Sequence, residues 1–92
     1  MPNYILSYDL NGQRPTHAEM DAHLKKACRN YARILETVWY VGHPGSLTDI
    51  TDYVKKFLSD NDLLIVVEAK DASWTKLLVG KEWLIAAWNQ NR

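Results

Sequence analysis

Asp9 is the residue of this chain whose position is best suited to chemistry. It closes the apolar and aromatic run Tyr4-Ile5-Leu6-Ser7-Tyr8, which reads as a buried first strand, and turn residues follow at Asn11-Gly12-Gln13-Arg14-Pro15. A carboxylate directly after such a strand is held by a rigid element. If two copies met about a two-fold axis near that strand end, their Asp9 side chains could share a divalent cation. The other reading of Asp9 is local: an aspartate that starts the turn by accepting amides from Asn11 or Gly12.

The remaining titratable residues give weaker patterns. His17 and Asp21 stand at i and i+4 of one helical stretch, but a metal site needs three or four convergent donors, and His23 falls on a different face. His43 adjoins Pro44-Gly45 and reads as a loop residue. Asp60 and Asp62 flank a turn, where aspartate is favoured for local backbone bonding. Cys28 is the single cysteine; it has no intrachain disulfide partner and reads as a small buried residue. No phosphate-binding glycine loop, Cys-x-x-Cys pair, His-Glu-x-x-His helix or nucleophile elbow occurs, so the strongly signalled enzyme classes are excluded.

The elements that must position these residues follow from periodicity and caps. Thr16-His17-Ala18-Glu19 is a capping box and opens an amphipathic helix with Met20, Leu24, Ala27 and Cys28 near one face, ending near Arg29-Asn30. Tyr31 to Gly42 is β-like and longer than a usual strand, which predicts two strands or one sharply bent ribbon, with the break near Glu36-Thr37. Ser46-Leu47-Thr48-Asp49 repeats the cap, and Ile50, Tyr53, Val54, Phe57 and Leu58 make a second helical stripe stopping at Ser59-Asp60-Asn61. Leu63-Leu64-Ile65-Val66-Val67 reads as a strand covered on both faces or central in the sheet. The order β, α, β, β, α, β predicts an α+β, ferredoxin-like domain: a four-stranded antiparallel sheet with two helices on one face. Residues 71–92 add a C-terminal helical extension to the 1–70 core, with one short helix around Trp74 and a second carrying Trp83, Leu84, Ala87 and Trp88.

Composition bounds the partners. The 92 residues suffice for one domain, and lysine plus arginine equal aspartate plus glutamate at 11 each, so no general nucleic-acid or membrane footprint exists. No apolar run nears the roughly 20 residues needed to cross a bilayer, and Met1-Pro2-Asn3 lacks a basic signal start, which predicts a cytoplasmic protein. Four tryptophans and five tyrosines are many for this length. They predict that part of the aromatic surface is covered by the C-terminal segment or by a second chain.

The opening Ile5-Leu6-Ser7-Tyr8-Asp9-Leu10, the stretch Leu35-Glu36-Thr37-Val38-Trp39-Tyr40-Val41, the Ser46-initiated helix and Ser59-Asp60-Asn61-Asp62-Leu63-Leu64-Ile65-Val66 together resemble the CRISPR-associated Cas-two proteins and the related SinR-like small proteins. The resemblance implies a ferredoxin-like homodimer with Asp9 at the position proposed for a metal-dependent nuclease, using Mg2+ or Mn2+ on RNA or DNA. Some members of that family act instead as structural subunits. Two departures matter: Arg14, Lys25, Lys26, Arg29 and Arg33 are offset by acids, and a tryptophan-rich segment replaces the short final strand.

Two functions of different class follow. One is a homodimeric, weak endonuclease centred on Asp9, with Ser7, Tyr8 and Asn11 as neighbours shaping the site. The other is a non-catalytic dimer that docks another protein through a sheet face and the Trp83 to Trp88 helix. A small-molecule regulatory domain of the same topology lacks the glycine-rich or convergent polar loop a ligand would need.

Overall fold

The computed structural model describes residues 2–91. Met1 and Arg92, the ends of the single domain expected over 1–92, lie outside the described residues. The elements run β1 (Asn3–Asp9), α1 (His17–Ala27), β2 (Asn30–Leu35), β3 (Val38–Gly42), α2 (Leu47–Lys55), β4 (Leu63–Ala69) and α3 (Lys81–Gln90). The four strands form one sheet in the order β2-β3-β1-β4, with every neighbouring pair antiparallel. The fold is therefore α+β, compatible with the ferredoxin-like arrangement. No helix among the described residues is long and apolar enough to cross a membrane.

Strand alternation sorts the side chains onto two faces. Tyr4, Leu6 and Tyr8 of β1 and Trp39 and Val41 of β3 meet Met20 and Leu24 of α1 and Ile50 and Val54 of α2 in one buried cluster. Full burial of each aliphatic side chain there is worth about 1.5–3 kcal/mol, so this cluster is the main source of stability. Tyr8 stacks on Trp39 at 4.2 Å between centroids. Both helices begin where the caps predict: Thr16 Oγ1 accepts the Glu19 amide, and Ser46 Oγ accepts the Asp49 amide, each with the reciprocal carboxylate bond. The second helix ends earlier than its apolar stripe suggests, at Lys55, and Phe57 and Leu58 lie in the turn beyond it.

The opposite face is covered by the chain itself. Leu84, Ala87 and Trp88 of α3 bury against Ile34 and Tyr40, with Trp74, Leu77 and Val79 packed beside them. No helix forms between residues 71 and 80, contrary to expectation. That segment runs irregularly over the sheet and bonds its Leu78 amide to the Ile34 carbonyl at 2.9 Å. Trp88, expected either in the core or at an intermolecular surface, is 5% exposed, stacks on Tyr40 and donates its indole N–H to the Lys70 carbonyl. The aromatic load is thus mostly absorbed in cis; Trp83 and Phe57 are exceptions, at 41% and 37% exposed.

A polar lock fixes α3 to the sheet. The Tyr40 hydroxyl donates to Asn3 Oδ1, Asn3 Nδ2 donates to the Trp88 carbonyl, and Asn91 Nδ2 donates to Asn30 Oδ1 and the Ala87 carbonyl. Gly42 is required beneath it, because a Cβ there would stand 2.5 Å from Asn91 Nδ2.

β4 departs most from expectation. Its continuous apolar run predicts a covered or central strand, yet β4 is an edge, hydrogen-bonded only to β1. Leu64 and Val66 pack toward α1 and α2, whereas Leu63, Ile65 and Val67 on the other face are 61%, 60% and 45% exposed. The reason is the placement of α3, whose cluster covers β2, β3 and part of β1 but reaches β4 only at its last residue, Ala69.

Candidate functional site

Asp9 ends the central strand opposite Leu63 of β4, and it is exposed. The neighbours expected to shape a site around it are otherwise engaged. Ser7 Oγ, on the same sheet face, donates to the Thr37 carbonyl at 2.7 Å. Tyr8 points to the helix-covered face, where burial pushes its pKa up to about 12. Asn11 donates its backbone amide to Asp62 Oδ1 at 2.7 Å and its side-chain amide to the Asn61 carbonyl at 2.8 Å.

Asp62 therefore performs the turn chemistry considered for Asp9. It accepts the Ser59 amide as well, and these backbone bonds, from Ser59 first and Asn11 next, hold its carboxyl below the usual range. Asp9 is left exposed at the end of β1, with no such turn bond among the described residues. Among the described residues no group of three or more His, Cys, Asp or Glu side chains could hold a metal ion.

A mixed-charge cleft of about 230 Å³ lies between α1 and β2. His17, Asp21 and Lys25, spaced one turn apart, face Tyr31, Arg33 and Trp39 across it. The Tyr31 hydroxyl donates to Asp21, and burial followed by that carboxylate pushes its pKa well up. Among the described residues the buried Trp39 Nε1 has no hydrogen-bond partner. The i, i+4 spacing of His17 and Asp21 was the visible sequence signal of this cleft; its far wall depends on β2 register, which spacing along α1 cannot reveal.

The other histidines serve the fold. His23 Nε2–H donates to the Tyr53 carbonyl at 2.7 Å, Tyr53 returns its hydroxyl to the His23 carbonyl, and the stacked rings join α1 to α2. His43 Nδ1 accepts the Gly45 amide in the β3–α2 turn. Cys28 is half-buried, and burial pushes its thiol up to about 12.

The third feature is the β4 edge. The row Leu63, Ile65, Val67 lies on one face, and a groove of about 600 Å³ between α2 and β4 lies on the other, lined by Leu47, Lys55, Leu58, Leu64 and Val66 among others. Long edge strands are normally protected by prolines, bulges, charges or a covering segment. β2, the opposite edge, shows such devices: a bulge between Arg33 and Leu35, the charge of Arg33, and the Leu78 amide bonded to its Ile34 carbonyl. β4 has seven residues, no proline, no bulge and Glu68 as its sole charge.

Compared with protein-family models, curated proteins and solved structures, the chain matches none.

Proposed function

We propose that this chain is a non-catalytic, dimeric protein-contact module of ferredoxin-like fold whose contact strand is β4. The observation that carries this reading is the exposed row Leu63, Ile65 and Val67 on an edge strand without the bulge and covering amide that β2 has. Strand addition to such an edge supplies main-chain hydrogen bonds, and the apolar row supplies desolvation. Zero net charge removes long-range repulsion between copies. The contact surface is not the Trp88 face, which α3 uses internally. Sedimentation velocity at rising micromolar concentration tests it: the wild type is expected to dimerise and Ile65→Lys to remain monomeric with an unchanged circular-dichroism spectrum. A monomeric wild type would sink the proposal.

A second reading, a metal-dependent endonuclease of the Cas-two type, is favoured by one observation: Asp62 takes the turn role, leaving Asp9 exposed at the end of a rigid strand with no structural duty assigned to it. In this reading Asp9 binds Mg2+ or Mn2+ together with donors from another chain, and the ion supplies Lewis-acid chemistry at a phosphodiester. Cleavage of single-stranded RNA or duplex DNA that disappears in Asp9→Ala would support it, and equal cleavage by both proteins would remove it.

A further inference from the structure

We infer that two copies of this chain pair through β4 about a two-fold axis at Val66, joining their sheets into one of eight strands. The inference rests on reading β4 as the contact strand and specifies the occupant and its register.

An axis perpendicular to the sheet keeps each face on the same side, so it must pass between two copies of the same residue. Val66 is the midpoint of Leu63–Ala69, and only there do all seven residues find partners. On the exposed face Leu63 then meets the partner's Ala69 and Ile65 meets the partner's Val67, twice over, so the whole apolar row is opposed by itself. At the strand ends Asp62 faces the partner's Lys70, an opposite-charge pair made at both ends. Shifting the axis to Ile65 would instead place Asp62 against the partner's Glu68, a repulsive pair, and lose two strand residues from pairing. On the helix face the Val66 register sets the partner's Glu68 opposite Leu64, which lines the groove that also holds Lys55. Opposite charge signs at the two ends of an apolar strand are what self-pairing in antiparallel sense requires; a strand built for an unrelated peptide has no need of that symmetry.

The geometry has a consequence for Asp9. The two Asp9 residues would be separated by three strand spacings, about 14 Å, across the sheet, and by about six residues, roughly 20 Å, along it. They would stand about 25 Å apart and could not share an ion, whose ligands lie within about 2.6 Å of it. Dimerisation by this edge and a metal bridged by two Asp9 carboxylates therefore exclude each other in one dimer.

Cysteine cross-linking tests the register in the full chain with Cys28→Ala. Val66→Cys is expected to form an intermolecular disulfide under mild oxidation, since facing residues of antiparallel strands have Cα atoms about 4.5–5.5 Å apart, within disulfide range. A mixture of Ile65→Cys and Val67→Cys proteins should link to each other far faster than either links to itself. Lys70→Glu, which sets an acid against Asp62 at each of the two strand ends, should weaken the dimer about tenfold. A wild-type dimer in which neither cysteine arrangement links would overturn this register while leaving β4 available for another pairing. A monomer would overturn both this inference and the contact-module reading.

Discussion

Glu19 performs two tasks at the start of α1: it accepts the Thr16 amide and pairs with the Arg14 guanidinium. The Arg14 bond first, and the Thr16 amide next, push its pKa down to about 2. Because the folded value lies below the ordinary glutamate value of 4.5, the stabilisation is complete above that pH and is lost as pH falls toward 2. Denaturation midpoints followed through that window should decline, and Glu19→Gln should flatten the decline; an identical acid profile for both proteins would contradict the assignment. Trp88 gives the larger effect. Trp88→Ala removes a buried ring stacked on Tyr40 and should cost about 3–5 kcal/mol in chemical denaturation, where an interface residue would cost almost nothing in the monomer. At this scale the sequence was readable where a residue's bonds are local. Thr16, Ser46 and the Asp62 turn follow from neighbours within three positions. The isolation of Asp9 did not, because Ser7, Tyr8 and Asn11 are drawn away by Thr37, by strand alternation and by Asp62, each set by tertiary placement.

The elements separate into those fixed by their own pattern and those fixed by what covers them. Caps and 3.6-residue spacing define the starts of α1 and α2, and the hairpin breaks at Glu36-Thr37 as strand length requires. Ser46→Ala should accordingly cost about 1 kcal/mol, read from thermal or urea unfolding, by orphaning the Asp49 amide. β4 is different. A run of five apolar residues at 63–67 looks the same whether a helix lies over one face or none, and only the position of α3 shows that the row is open. The segment 71–80 misled for a related reason: Trp74, Leu77 and Val79 bury against the sheet without helical hydrogen bonds. The attachment of α3 depends on the Asn3, Tyr40 and Asn91 lock. Gly42→Ala should displace Asn91 and loosen α3, seen as faster hydrogen exchange across residues 81–90 with β1 and β4 unchanged. Unaltered exchange in α3 would mean that Asn91 is not its anchor.

For the molecule as a whole, the sheet has one finished edge and one unfinished one. β2 is bulged and bonded to the Leu78 amide; β4 offers unpaired backbone groups and an apolar row beside them. The sheet is sealed on one face by α1 and α2 and largely on the other by α3, which is why the proposed association uses the rim of β4 and not a broad aromatic face. Native-state hydrogen exchange as a function of protein concentration tests this claim most directly. The alternate β4 amides that point away from β1 should pass from fast to slow exchange as concentration rises through the micromolar range, while the outer amides of β2 keep their rates. Fast exchange of those β4 amides at every concentration, or concentration-dependent protection at β2 instead, would contradict the account.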